Sequence, residues 1–575
     1  MQHPFTFPRT LLLALTLLSA CAAADATGAA QQARSADPSG AYGPFLIGRV
    51  ASLTGDYDTA AMELRRALAH DPDDPTLRQQ AFVASLLAGQ KQAVELARGL
   101  PNNEAARLLV ADADAAAGNW EVAEQRYAAL PRQGLPQLLQ PLLVAWAQYG
   151  SGHPDRALET LHPFVQGQRF RAVYAFHAAM IADLSSREAE AGRLYGIAQT
   201  AFGTSNLDLA RAMASWQARG GRTEEARQTL AALGQYGDDL AVTLPRLQAD
   251  VAMRPVRRAT DGIAEAYLAL ASALHQQDAQ EFSTILLRLA LDLRPDLTTA
   301  RLLAADMLAQ NKRPEAALAM LAPVAADDPL GPLVDLRRAA FLDRTGDSDA
   351  ALRLLAQLQQ SLPDRPEPWT LQGEVLRGKH RYTDAVAAYD RAVALTPNPT
   401  RVNWPLFYER GVAEERAHQW PKAEADFLFA LKLSPDEPFV LNYLGYSWTE
   451  MGIHLPEARR MIERAAEQRP NDGAIVDSLG WISLHEGNTH QAVQDLEKAV
   501  ELEPEDATIN GHLGDAYWAA GRKLEALYQW RRALTLNPEP EDVPKLQAKL
   551  HDAQAAEQQP RQAQSGMPAT AEKVQ

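Results

Sequence analysis

The sequence is almost free of cysteine. Among its 575 residues the only one is Cys21, so no disulfide can form within a single chain. Aromatic residues make up 7% of the chain, and the alternation of apolar and polar residues that marks half-buried strands is absent. The composition therefore favours a helical protein that is not held together by covalent cross-links.

Positive charge is also scarce. The chain has 72 acidic and 56 basic residues, a net charge of −16. Proteins that bind nucleic acid need a basic face that displaces counterions from phosphates. The charge balance therefore argues against nucleic acid as a partner and leaves protein partners open.

Sequence motifs of catalysis are missing as well. The GxSxG elbow, the SxxK pair and the GxxxxGK[ST] phosphate loop do not occur. His485 and His490 are five residues apart, in a glycine-containing turn, and so cannot share a helix face as metal ligands. We expect a protein that is not an enzyme and has no cofactor and no metal.

What the chain does contain is a repeat. Three tandem units between Phe439 and Pro538 share one skeleton of small and large apolar residues that ends in proline. Gly445 and Gly480 are 35 residues apart, and Gly480 and Gly514 are 34 apart. A fixed period of this size indicates stacked supersecondary units.

Each unit reads as two helices. In the first unit, Leu444, Gly445 and Trp448 lie on one stripe at helical spacing. Ala458 and Ile462 form the facing stripe of a second helix. A single pair cannot bury its own apolar face, so neighbouring pairs must bury it together.

This pattern resembles the tetratricopeptide repeat, a 34-residue helix–turn–helix. The small residue of the eighth repeat position recurs upstream in phase, at Ala271, Ala305, Ala339, Gly373 and Gly411. The resemblance implies an all-α solenoid of about 14 repeats forming a superhelix.

The chain is expected to consist of six segments. In order they are a lipoprotein signal peptide (1–20), a flexible tether (21–41), an N-terminal repeat array (42–235), an irregular junction (236–262), a C-terminal repeat array with a capping helix (263–553) and a disordered tail (554–575). The junction is interpreted either as a hinge or as a degenerate repeat.

The start of the chain carries a targeting signal. Arg9 precedes the apolar run Leu11–Leu18, which is too short to span a membrane. The following Leu18-Ser19-Ala20-Cys21 resembles a bacterial lipobox, which implies lipid attachment at Cys21. The alternative is an ordinary secretory peptide with an incidental cysteine. Because Ala22 rather than aspartate follows the cysteine, we expect an outer-membrane lipoprotein that faces the periplasm.

The resemblance also implies a partner-binding groove lined by the first helix of each repeat. In the late repeats the groove positions are occupied by Tyr408, Phe439, Asn442, Tyr446, Asp477, Trp481, Asp515 and Trp518. Aromatic residues in a groove are typical of binding hot spots. The alternative is that some of them pack against a neighbouring repeat or the C-terminal helix. The two aspartates would repel a C-terminal carboxylate, so recognition of that kind is not expected.

The last three repeats resemble a narrower group still. Their motifs are Asn442–Trp448, Asp477–Trp481 and His512–Trp518, and they are similar to those of large outer-membrane repeat lipoproteins that partner a periplasmic carboxyl-terminal processing protease. The resemblance implies a scaffold that binds the protease and its substrates, peptidoglycan hydrolases. The alternative is an assembly or stability factor for an outer-membrane export or pilus machine.

Overall fold

The computed structural model describes residues 39–131, 133–134, 136–168, 170–203, 206–235, 238–275 and 279–553. Cys21, the predicted signal peptide, all but the last residues of the predicted tether and the predicted tail lie outside the described residues. Every regular element in the described residues is helical, which confirms the predicted all-α class. None of the described helices combines the length and apolar composition needed to cross a membrane.

The chain divides into two compact units, one up to Pro363 and one from Asp364. The sequence did not indicate this division. In the first unit most helices pack against the next one along the chain. Its helices are α1 (Ser39–Thr54), α2 (Tyr57–His70), α3 (Pro75–Leu87), α4 (Ala93–Arg98), α5 (Glu104–Ala116), α6 (Trp120–Ala128), α7 (Pro136–Gly150), α8 (Pro154–Gln166), α9 (Arg171–Leu184), α10 (Glu188–Phe202), α11 (Leu207–Arg219), α12 (Thr223–Ala231), α13 (Asp238–Ala241), α14 (Leu244–Ala249), α15 (Ala259–His275), α16 (Gln280–Leu293), α17 (Thr298–Gln310), α18 (Pro314–Leu321), α19 (Gly331–Arg344) and α20 (Ser348–Ser361).

The second unit is a run of five helix pairs. They are α21 (Glu367–Gly378) with α22 (Tyr382–Ala394), α23 (Trp404–Arg416) with α24 (Trp420–Leu433), α25 (Pro438–Met451) with α26 (Leu455–Gln468), α27 (Gly473–His485) with α28 (Thr489–Leu502), and α29 (Ala507–Ala519) with α30 (Lys523–Thr535). Residues 543–553 form a further helical stretch.

The pair α27/α28 shows why the repeated residues fold this way. The Asp472 carboxylate caps α27 by accepting a hydrogen bond from the backbone N–H of Ile475 at 3.2 Å. A Cβ on Gly480 would stand 2.6 Å from Leu496 Cγ, so only glycine lets the two helices approach this closely. Gly487 has a φ of +80° and makes the turn between them.

The first unit folds back on itself. Its first six helix pairs present a first-helix face, which is the surface formed by the first helix of each pair. Helix α15 packs on this face against α7 and α9, and α16 packs against α3 and α5. Gly262 of α15 leaves room for the indole of Trp146, whose Cε2 would lie 2.1 Å from a Cβ there. Helices of the same unit therefore cover the first-helix face at α3, α5, α7 and α9.

A buried carboxylate joins the returning helix to the repeats. Asp112 of α5 is 3% exposed, and its Oδ1 accepts hydrogen bonds from Tyr127 at 2.6 Å and from Tyr267 of α15 at 2.8 Å. Burial raises the pKa of the Asp112 carboxyl to about 7, and the two tyrosine hydrogen bonds only partly oppose this shift. The contact joins residues 155 positions apart in sequence.

Residues 236–262, predicted as an irregular junction, lie inside the first unit and contain α13, α14 and the start of α15. Arg254 lies 3.4 Å from the Asp183 carboxylate, and Asp261 accepts the backbone N–H groups of Arg257 and Arg258. These contacts fix the point at which the chain turns back toward α7. The predicted bounds of the two arrays stay predictions.

We expect Asp112→Asn to stabilise the protein progressively, relative to the wild type, as pH rises from 5 to 8. The native carboxyl keeps its proton to about pH 7, whereas an unfolded aspartate loses it near pH 4. The native state thus binds more protons in this window, so wild-type stability falls with pH, by up to about 1.4 kcal/mol per unit. Asparagine does not titrate, so it adds no pH-dependent contribution to the free energy of unfolding. Its side-chain oxygen can still accept both tyrosine hydrogen bonds.

Urea unfolding at pH 5 and pH 8 measures this difference. Glu121→Gln, which changes an exposed carboxylate on α6, is the matched control and should show no comparable trend. A stability difference between Asp112→Asn and wild type that is independent of pH would contradict the assignment.

Candidate functional site

The predicted groove positions lie on the first helices of the second unit. Helices α25, α27 and α29 contact one another in succession, in addition to their own second helices. The surface formed by α21, α23, α25, α27 and α29 is called the second unit's first-helix face below. Its central part is aromatic and acidic.

Three aromatic rings from three successive repeats meet at the centre of this face. The indole of Trp481 on α27 stacks on the imidazole of His512 on α29, with centroids 3.8 Å apart and an interplanar angle of 18°. The ring of Tyr446 on α25 lies 6.1 Å from that of His512. Trp481 Nε1–H donates a hydrogen bond to Glu450 Oε1, also on α25. The stack therefore links three repeats.

Asp477 lies beneath this stack. It is 4% exposed, and His512 is 8% exposed. Because a carboxylate can only accept, His512 Nδ1 must carry the proton that it shares with the Asp477 oxygens at 2.9 and 3.0 Å. Burial alone would lower the pKa of His512, but the Asp477 carboxylate, followed by Asp515 and Glu450, raises it above its ordinary value.

The other predicted residues on α23 and α25 have different surroundings. Tyr408 packs edge-on against Tyr443 of the next repeat, with centroids 5.8 Å apart, and burial raises its pKa to about 12. Phe439 is 38% exposed, and the guanidinium of Arg469 lies 4.7 Å above its ring. Asn442 Oδ1 is buried without a hydrogen-bond partner among the described residues.

Asp515 and Trp518 lie where the chain's own C-terminal helix covers the face. Asp515 accepts hydrogen bonds from Trp530 Nε1 at 2.9 Å and from Lys549 Nζ at 2.6 Å. The ring of Trp518 lies 5.5 Å from that of Trp530. Leu546 is buried beside Gly511 of α29. The predicted capping helix thus covers part of the first-helix face at α29.

The chain that leads into this helix also follows the face. Glu539 and Glu541 lie 3.6 and 3.1 Å from the guanidinium of Arg416, at the end of α23. That guanidinium rests 5.4 Å from the centroid of the Tyr382 ring. The segment 539–549 therefore runs from α23 to α29, which leaves Phe439 and the edge of the stack as the accessible aromatic surface.

The sequence analysis did not single out His512 or Arg416 as parts of this site. A signal for His512 was present, because Asp477 and His512 are 35 residues apart and adjacent repeats place residues at that spacing side by side. For Arg416 the repeat spacing points only to Tyr382, which is 34 residues away. Its acidic partner Glu541 is 125 residues away and left no such signal.

The accessible groups of this face are of a kind that binds other molecules. Within the described ranges, no group of three or more histidine, cysteine or acidic side chains is placed to hold a metal ion. The accessible groups are aromatic faces and carboxylates, which contribute packing area and electrostatic selectivity.

Comparison with known families identifies the repeat. The tetratricopeptide repeat model matches residues 337–398 and 479–539. The fold class predicted from the sequence, a tetratricopeptide-repeat solenoid, is confirmed. Repeats of this type bind other proteins.

Curated relatives match over limited stretches. A TPR repeat-containing protein of Pseudomonas aeruginosa is 28% identical over 158 residues, which is 27% of this chain and 26% of the relative. Cytochrome c-type biogenesis protein CycH of Rhizobium meliloti is 32% identical over 135 residues, 23% of this chain and 33% of the relative. The match thus spans between a quarter and a third of the length of these relatives.

A solved tetratricopeptide repeat protein from Parabacteroides merdae aligns with 44% of this chain and 97% of its own length, with 15% identity and a TM-score of 0.36.

We expect Asp477→Asn to lower the pKa of His512 below its ordinary value, because burial then outweighs the remaining carboxylates. A histidine whose native pKa is raised contributes stability that is fully present below about pH 6.5 and is lost as pH rises through the native pKa. The variant should therefore be destabilised by roughly 3 kcal/mol near pH 5.5, and the difference from wild type should shrink above the native pKa.

An NMR titration of the histidine ring protons, with urea unfolding at pH 5.5 and pH 9, measures both effects. Asp472→Asn is the matched control, because it makes the same substitution at the N-cap of the same helix. Asparagine caps a helix as well as aspartate does, so this variant should change neither quantity. An unchanged His512 titration in Asp477→Asn would show that the pair does not set this pKa.

Proposed function

We propose that this chain is a protein-binding scaffold whose partner contacts the first-helix face of the second unit at Trp481 and its neighbours. The observation that carries the proposal is the stack of Tyr446, Trp481 and His512, held together across three repeats. The repeat core does not require aromatic residues on that face, whereas binding hot spots are enriched in them.

The surroundings of the stack point to the chemistry of the partner. Glu450 and Asp515 lie beside it, so a segment that presents lysine or arginine next to an apolar side chain complements the face. The C-terminal segment 539–549 is a competitor for the same surface.

We further propose that the scaffold is anchored by a lipid at Cys21 to the outer membrane and faces the periplasm. Its partners in this proposal are a carboxyl-terminal processing protease and the peptidoglycan hydrolases that the protease degrades. The mechanism is proximity. Two proteins held on one scaffold meet at an effective concentration set by the scaffold rather than by their bulk concentrations.

An assembly or stability factor for an export or pilus machine is the second candidate. The similarity over 135 residues to a protein named for cytochrome c-type biogenesis favours a role of this kind. Crosslinking the protein in its own cell and identifying the captured proteins separates the two. A processing protease with cell-wall hydrolases supports the adaptor function, and export or pilus components support the assembly function.

We expect Trp481→Ala to weaken partner binding by about 2 kcal/mol, roughly 30-fold in Kd, because it removes the central ring of the accessible surface. Titration of the purified protein with the purified processing protease from the same cell measures this. Tyr528→Ala is the matched control, since Tyr528 is 63% exposed on the second helix α30. Unchanged affinity of Trp481→Ala, with wild-type helicity by circular dichroism, would exclude this face as the binding surface.

We expect Cys21→Ser to move most of the protein from the membrane fraction to the soluble periplasmic fraction. Two or more acyl chains give stable anchoring, and the variant cannot be acylated at this position. Cell fractionation with immunodetection measures the distribution, and Ala23→Ser, which keeps the cysteine, is the control. An unchanged membrane fraction would contradict anchoring through Cys21.

A further inference from the structure

The first helix of the structure carries an uncovered apolar face. Five large apolar side chains of α1 are between 52% and 80% exposed, which are Tyr42, Leu46, Ile47, Val50 and Leu53. At 100° per residue, positions 42, 46, 50 and 53 fall within about 80° of arc, so they form a continuous stripe along the helix. This stripe is called the α1 outer face below.

The opposite side of α1 is an ordinary repeat interface. Ala51 is buried, Phe45 packs against the same cluster, and a Cβ on Gly48 would stand 2.7 Å from Leu64 Cγ. The helix is therefore fixed to α2 by its inner side. Its outer side points to where a preceding repeat would stack.

Terminal repeats of solenoids need a polar outer side, because no further repeat covers them. The α1 outer face is apolar instead, and contiguous exposed apolar surface of this kind marks an interaction site. Helix α1 contains no acidic residue, and its one basic residue, Arg49, is exposed at the edge of the stripe.

The residues between Cys21 and α1 are unsuited to cover this face. Residues 22–38 consist of alanine, aspartate, threonine, glycine, glutamine, arginine, serine and proline, without one leucine, isoleucine, valine, methionine or aromatic residue. Helix α1 begins at Ser39, only 18 positions after the proposed lipidation site Cys21. An anchor at Cys21 thus keeps the α1 outer face close to the bilayer surface.

We propose that the α1 outer face binds the membrane surface by inserting its stripe of apolar side chains into the headgroup region beside the lipid anchor. This inference rests on the proposed anchoring at Cys21. A stripe of leucine and valine with a tyrosine, beside the exposed Ile47, is suited to the boundary between headgroups and acyl chains. Arg49 at its edge is suited to lipid phosphates. The solenoid would then be held against the membrane in one orientation.

Binding by a single helix face is weak and reversible compared with acylation. The Cys21→Ser protein produced without the signal peptide 1–20 therefore isolates the contribution of α1. We expect it to float with vesicles of phosphatidylethanolamine and phosphatidylglycerol, with a partition coefficient that changes little between low and high salt, because the contact is apolar. Adding Leu46→Gln, Val50→Gln and Leu53→Gln should lower that coefficient at least tenfold.

The matched control is Leu524→Gln with Tyr528→Gln, which changes residues of similar exposure on α30 and should leave partitioning within twofold of the parent. A second readout uses the absence of other cysteines. In the Cys21→Ser background, Val50→Cys carries a single polarity-sensitive dye, whose emission should shift to the blue when vesicles are added. The same dye at Tyr528→Cys should not respond.

Equal flotation of the parent and the triple variant, or no flotation of either, would overturn the proposal. A second copy as the occupant predicts a different pattern. In that case the Cys21→Ser protein sediments as a dimer, the triple variant sediments as a monomer, and neither floats. The vesicle experiment does not involve the acylated cysteine, so a failure of α1 to bind vesicles leaves the proposed anchoring at Cys21 untouched.

Discussion

The close approach of two helices at a small residue is the contact on which the repeats depend. Gly445, Gly480 and Gly514 each face a large side chain of the partner helix, at distances that no Cβ could tolerate. Two helices packed in this way still expose apolar surface on both sides of the pair. The pair is therefore unstable until neighbouring pairs cover that surface. In this chain successive pairs stack on one another and bury these surfaces. Any apolar surface that remains uncovered after stacking must be buried by another part of the chain or by a partner.

Both units cover part of their first-helix faces with their own chain. In the first unit, α15 and α16 return to the early pairs, and Asp112 holds Tyr267 across 155 positions of sequence. In the second unit, residues 539–549 follow the face from Arg416 to Asp515. The first covering is built on buried apolar packing, whereas the second combines a few partly exposed ion pairs with the small apolar contacts of Leu546, Leu550 and Ala553. Exposed ion pairs contribute little, so the second covering is the more easily displaced of the two.

The sequence predicts the helix pairs because their determinants are local. Leu444, Gly445 and Trp448 lie within two helical turns of one another. The same pattern recurs in each repeat, so it can be recognised many times along the chain. The partners of Asp112, Arg416 and Asp477 could not be predicted in the same way, because each lies on another helix and depends on how repeats are superposed. Of these, Asp477 with His512 and Arg416 with Tyr382 fall at the repeat period, 35 and 34 residues apart, so only these two pairs leave a trace in the sequence.

In the proposed function, the covered state of the second unit sets the conditions under which a partner binds. Lys549 on Asp515 and the glutamates on Arg416 already satisfy charges at both ends of the face, while Tyr446 and Trp481 remain partly accessible between them. A partner that contacts only the accessible rings gains little area, and one that also reaches Asp515 must displace residues tethered at high effective concentration. The apparent Kd then equals the intrinsic Kd divided by the fraction of molecules in which the face is open. Selectivity for partners that combine a basic residue with an apolar anchor follows from this competition, because only such a partner replaces both the charge of Lys549 and the packing of Leu546.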